Sequence, residues 1–390
     1  MEKEKTGNKL EQLPMDLIQV ILASIPDISS LKSAILTEKH LYTAFLGDEK
    51  LITQTVLRNQ IGKEMLHDAL AAMLSFGYKN ASMQQKLDFS VNCIARRRRA
   101  FDFLMPCKLS QALPLAQFHD TIGVLRTDFT KEILSYHPVL QEYDEDPPLR
   151  PLSETERDRI TRVFYRFQIF INLYNERALF PLARQYLQYF PPWEVEQAVC
   201  IHTYVSRVVK EVFDRISYSD PNWEGIVGES MIKLCQMSQV SKGLHHVRKL
   251  LESDTLESRR DLFAPDRSRD WKETFFGTDS LDTGLGRLDA ALSVERQIER
   301  FTGRSPGTEE GPVEIWTWIQ CTRIHPEWHY PNINRWLRRW AIMLWDQQRL
   351  ETWGVFAIVG EILIHLTDYQ CCVGYESYFD DGKVDYVFAR

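Results

Sequence analysis

Along most of the chain, apolar residues recur three and four positions apart, the spacing of one helix face, and alternating stretches are almost absent. This periodicity predicts helices over residues 14–25, 30–46, 49–61, 64–75, 84–104, 115–135, 154–178, 194–217, 225–251, 286–302, 313–323, 331–347 and 352–366. The end of the chain behaves differently. In YESYFDDGKVDYVF, Tyr375, Ser377 and Phe379 alternate, then Val384, Tyr386 and Phe388, about Asp381-Gly382. Asp-Gly supplies the positive φ angles of a tight turn, so a small terminal β-hairpin is expected there. The expected fold class is all-α, with that hairpin as its one possible exception.

The interruptions divide the chain. HPVLQEYDEDPPLRPLSE (137–154) is rich in proline and acid, and Ser153-Glu154-Thr155-Glu156 then reads as a capping box opening a helix. Residues 254–282 and 301–312 lack sustained periodicity and read as long loops. The expected organisation is a disordered 1–9, a short-helix element at 10–62, connecting helices at 63–136, a linker at 137–153, and a large aromatic-rich helical domain at 154–390. No fixed-period repeat is present, which leaves solenoid and propeller readings without support.

The element at 10–62 opens with LPMDLIQVILASIPDISSL. Pro14 suits a first helical turn, where its missing N–H costs nothing, and Asp16 sits near the positive helix end. Leu17, Ile18, Ile21, Leu22 and Ile25 follow at helical spacing until Pro26. Asp27 or Ser29 can cap a second run, with Leu31, Ile35 and Leu36, and a third, with Leu41, Tyr42 and Phe45, closes at Gly47. Helices this short cannot bury their apolar faces alone; they need the rest of the chain or a partner.

The succession Leu13-Pro14, Leu17, Ile21-Leu22, Ile25-Pro26, Ser30-Leu31 and Tyr42 resembles the F-box. The continuation to about residue 72, and WDQQRLETWG near 345–354, resemble the large F-box-like proteins of filamentous fungi. The resemblance implies docking to a Skp-type adaptor through Leu13, Pro14, Leu17, Ile21, Leu22, Ile25 and Leu31. The remaining chain would then capture an unknown protein substrate for a Skp–cullin–F-box ubiquitin ligase, with no catalysis of its own. The alternative is a structural reading, in which these helices merely cap the larger domain of an interaction scaffold.

Composition adds exclusions more than assignments. A net charge of −7 lacks the concentrated basic surface of a nucleic-acid binder, and no apolar run reaches the roughly 18 residues of a membrane span. Seven cysteines without CxxC spacing suit reduced thiols, hence a cytoplasmic or nuclear setting, and no cofactor or metal site is expected. Arg98, within Arg96–Arg99, falls on the apolar stripe of Leu87, Val91, Ile94 and Phe101, so it is expected to be partly buried against a carboxylate. Ile333, Trp336, Trp340 and Leu344 share a face opposite Arg335, Arg338 and Arg339, which reads as a core helix rather than a base-stacking surface. His325 and His329 lie in a proline-flanked stretch without a third ligand, and adjacent His245 and His246 point apart on a helix. No phosphate-binding loop or nucleophile elbow appears.

Overall fold

A computed structural model describes residues 13–92, 105–135, 150–175, 179–219, 229–263, 299, 311–322 and 338–356. Among these residues the fold is all-α, with no strand. The expected hairpin at 375–388, Arg98, and the His325/His329 pair all lie outside the described residues.

Ten helices carry the argument: α1 (Met15–Ala23), α2 (Ile28–Thr37), α3 (Lys39–Gly47), α4 (Glu49–Ile61), α5 (Leu66–Ser75), α6 (Met83–Ser90), α7 (Leu109–Ser135), α8 (Glu154–Tyr174), α9 (Phe180–Leu187) and α10 (Pro192–Ser219). α8 is buried almost all round, including Ile160, Phe164, Phe167 and Ile171, as a helix at the centre of a large core must be. α5, α7 and α10 pack along it. Edge-to-face contacts of Phe129 with Phe164 and with Tyr204 stitch α7, α8 and α10 together. Polar groups inside this core are chained rather than isolated. Gln168 accepts from Leu244 N (2.8 Å) and donates to Asn172 (2.8 Å), which donates to Ser75 on α5 (2.8 Å). Gly243 (φ 95°) is required at this point, because a Cβ would lie 2.7 Å from Gln168 Nε2.

α8 is anchored at its start. Ser153 accepts from Glu156 N while Glu156 accepts from Ser153 N, both at 3.0 Å, the reciprocal cap that the sequence predicts. The same residues close a link across the chain. Arg349 donates from Nε and Nη2 to the two oxygens of buried Glu156 (2.7 and 2.6 Å) and to the carbonyls of Arg150 (3.1 Å) and Pro151 (2.9 Å). Its guanidinium also lies over the rings of Trp345 and Trp353. Beside it, Asp346 receives the hydroxyls of Ser153 (2.5 Å) and Thr155 (2.6 Å) and pairs with Arg159 (3.0 Å). Partial burial alone would raise the Asp346 carboxyl, but these hydroxyls and the Arg159 charge hold it below its ordinary range.

Several elements differ from the sequence expectation. The run at 30–46 is two helices, because Glu38 is extended (φ −143°, ψ 141°). The run at 225–251 breaks at Gly243 into Glu229–Ser241 and Leu244–Leu251. The expected loop from 254 contains a helix, Leu256–Phe263, whose Phe263 is buried against Phe213. α7 starts at Leu109, ahead of Pro114, with Glu49 accepting from Leu109 N (3.0 Å). The expected helix at 331–347 does not continue: Ala341 is left-handed (φ 49°), and a 3₁₀ turn, Ile342–Leu344, follows. Long-range donors hold that turn, Gln197 to Met343 O (3.0 Å) and Arg159 to Leu344 O (2.8 Å). Arg338 there turns towards α10 and pairs with Glu196 (3.0 Å), instead of facing away from the core, while Leu344 is buried as expected.

Two measurements check this account. Arg349→Met leaves Glu156 as an uncompensated buried charge, so urea denaturation should show a loss of about 3–5 kcal/mol, partly recovered when Glu156→Gln is added. Burial in the core lowers the His202 imidazole to about 4. Its folded value lies below the unfolded one, so the unfolded chain takes up the proton first and stability falls as pH drops below about 6.5. Between pH 7 and pH 5 the native protein should therefore lose about 2 kcal/mol more than His202→Gln, in denaturation series run at both pH values.

Candidate docking surface on the first three helices

α1 begins at the Leu13-Pro14 step, with Pro14 at the N-cap and no side-chain cap bond. Its two faces divide sharply. Ile18 and Leu22 are fully buried, whereas Leu17, Val20 and Ile21 are 51, 66 and 43 % exposed. Ser24 extends this outward stripe by one more turn. On α3 the inward residues are Leu41, Ala44 and Phe45, while Tyr42 and Leu46, four apart, face solvent with Lys39 and Thr43. Leu36 on α2 and Leu51 on α4 are also exposed. Single exposed apolar residues are ordinary, but successive turns of one helix presenting them together mark a surface suited to a partner.

The seven residues that the F-box resemblance implies as adaptor contacts are thus split by the fold. Pro14, Leu17 and Ile21 face outward; Leu22 and Leu31 are buried in the core; Leu13 and Ile25 are half-buried and pack against it. Val20, Tyr42, Leu46, Leu36 and Leu51 join the exposed set. Helical phase could have separated Leu17, Val20 and Ser24 from Ile18, Leu22 and Ile25, but phase alone does not say which stripe faces in.

Polar side chains fix the orientation of this surface. Asn59 of α4 donates to the carbonyls of Ala23 (2.9 Å) and Ile25 (3.1 Å), capping the end of α1. Gln19 donates to Ala44 O (3.0 Å), and a Cβ at Gly47 would lie 2.8 Å from Gln19 Nε2. Gln19 and Gly47 thus mark where α1 and α3 pack together. Gln60 accepts from Ile28 N (3.1 Å) and donates to Asp120 on α7 (3.0 Å), so α2 is tied to the body.

The rest of the molecule offers less. Among the described residues no group of three histidine, cysteine or acidic side chains could hold a metal ion, and no helix is long and apolar enough to cross a membrane. His245 faces Thr121 (3.4 Å) and His246 bonds Gln239 (2.7 Å), so the two do point apart. Cys200 is buried, which pushes its thiol far up from the range of a nucleophile. No family model matches the chain, and no curated protein or solved structure matches it.

The division of faces has a direct consequence for stability. Ile18→Ala and Leu22→Ala should each cost about 2–5 kcal/mol by urea denaturation, from lost burial and the cavity left behind. Leu17→Ala and Val20→Ala should stay within about 0.5 kcal/mol of the parent.

Proposed function

We propose that α1 to α3 dock a Skp-type adaptor and that the chain is the substrate receptor of a Skp–cullin–F-box ubiquitin ligase. The observation that carries this reading is the outward stripe of Leu17, Val20 and Ile21 on the helix that begins at the F-box-like Leu13-Pro14 step. Leu22 and Leu31 then act indirectly, by seating α1 and α2 on the body so that the stripe is presented. The helical body built around α8 and α10 carries the substrate. In this role the chain performs no chemistry; it raises the effective concentration of a bound substrate near the ubiquitin-charged enzyme. Reduced cysteines and a cytoplasmic or nuclear location accord with that role.

A second reading has its own support. The complete burial of Ile18, Leu22, Ile28 and Leu31 is what a purely structural cap on a helical scaffold requires. The two readings part on the exposed stripe, since a structural cap has no use for it.

Pull-down of the full chain with a purified Skp-type adaptor tests the proposal. The intact protein should recover the adaptor, and Leu17→Asp and Ile21→Asp should abolish recovery while keeping the helical circular dichroism of the parent. Failure of the intact protein to recover any adaptor rejects the ligase role and leaves the scaffold.

A further inference from the structure

We infer that the seam between α7 and α8 holds a compact oxyanion, a phosphate group either free or on a small solute, in a notch over Gly123. The site lies on the helical body, and it does not depend on the docking reading above. On α7, His119, Gly123 and Arg126 recur at i, i+4 and i+7 and so share one stripe. On α8, Arg157, Thr161 and Tyr165 follow one another at successive turns. The two stripes meet in two rungs. His119 Nδ1 bonds the Tyr165 hydroxyl at 2.6 Å, and Arg126 donates to Thr161 Oγ1 at 2.8 Å. Gly123 lies between those rungs on its helix.

Two independent observations distinguish this place from an ordinary packed seam. One is space. Gly123 is half-buried in a helix interior, where glycine is unfavourable, yet a Cβ built on it would meet no atom within 4 Å. The other is charge. Arg126 is half-buried, but among the described residues it makes no ion pair, and the bond to Thr161 uses one of its five N–H donors. Arg157, exposed one turn before Thr161, has no ion pair among them either. Burial, reinforced by the Arg157 charge, holds the Arg126 guanidinium below its ordinary range. Glu154 and Asp158 stand on the same part of α8, and neither forms an ion pair with these arginines.

The chemistry selects the ligand. A half-buried cation without a counter-charge favours an anion, and bonds from guanidinium to an oxyanion are stronger than neutral ones. Burial, then the Arg126 charge, lowers the His119 imidazole to about 4, so the ring is neutral near pH 7 and the arginines carry the positive charge. A phosphate presents its oxygens tetrahedrally and can meet Arg126 from α7 and Arg157 from α8 together. A planar carboxylate turns both oxygens to a single guanidinium fork. The missing side chain at position 123 leaves room for a compact group rather than a long one. Asp158, whose charge is felt by Arg126, works against the anion and keeps binding weak and reversible.

Titration calorimetry of the full chain with inorganic phosphate at neutral pH tests the site, with sodium chloride of equal ionic strength as the reference. The native protein should give a saturable response to phosphate and none to chloride. Arg126→Met and Gly123→Leu should each weaken binding at least tenfold. The second places a good helix former in open space, so it should keep the circular dichroism and Tm of the parent. Asp158→Asn removes the opposing charge and should tighten binding severalfold. Glycerol phosphate in the same experiment separates the sources: if it binds as well, a monoester is accepted, and if it does not, the free ion is the ligand; both outcomes uphold the site. Equal responses to phosphate and chloride overturn it, as does a Gly123→Leu or Arg126→Met protein that binds like the parent. Weaker binding by Asp158→Asn overturns it too, since Asp158 would then be the partner of Arg126.

Discussion

The ion pair between Glu156 and Arg349 joins residues 193 positions apart at the start of the central helix α8. Burying two charges is costly, and Coulomb attraction offsets that cost only when geometry is good and the remaining donors are used. Here both conditions hold. The guanidinium fork meets both carboxylate oxygens, and its other N–H groups reach the carbonyls of Arg150 and Pro151. Glu156 does two further jobs, closing the cap on Ser153 and accepting from Asp346 N (3.1 Å). The start of the central helix α8 and the aromatic segment around Trp345 are therefore positioned by one shared carboxylate.

From this anchor the remaining packing follows in order. α8 presents apolar side chains in every direction, so α5, α7 and α10 can each bury a face against it. α7 then receives α4 and α2, and those two in turn seat α1 and α3. The N-terminal helices lie at the far end of this chain of contacts. Their inner residues are core; their outer ones are not needed for it.

What could be read from sequence divides along the range of the forces involved. Helix caps are local chemistry, and both Asp27 and the Ser153–Glu156 box do what their positions predict. The break at Ala341 has no comparable local sign. It is held by Gln197 and Arg159, 146 and 185 residues from the carbonyls they satisfy. The helix Leu256–Phe263 is polar and short, and one aromatic contact from α10 gives it a place in the core. At the candidate surface, spacing marked Leu17, Ile18, Ile21, Leu22 and Ile25 as one helix without dividing its outward face from its inward one. Which face turns inward is set by the packing of α1 on α3 and α4, with Asn59 fixing the end of α1, and no periodicity in α1 reveals it.

Asn59 and Gln60 are neighbours with opposite targets: one grips the end of α1, the other spans from the start of α2 to α7. Together they work as a bracket rather than a tether. A body hung from a flexible leash sweeps a sphere and can offer its cargo from any angle. A body fixed by such a bracket offers it along one bearing and at one reach. In the receptor role proposed above, selectivity would then reside partly in distance: a segment held at the wrong radius is bound and still passed over.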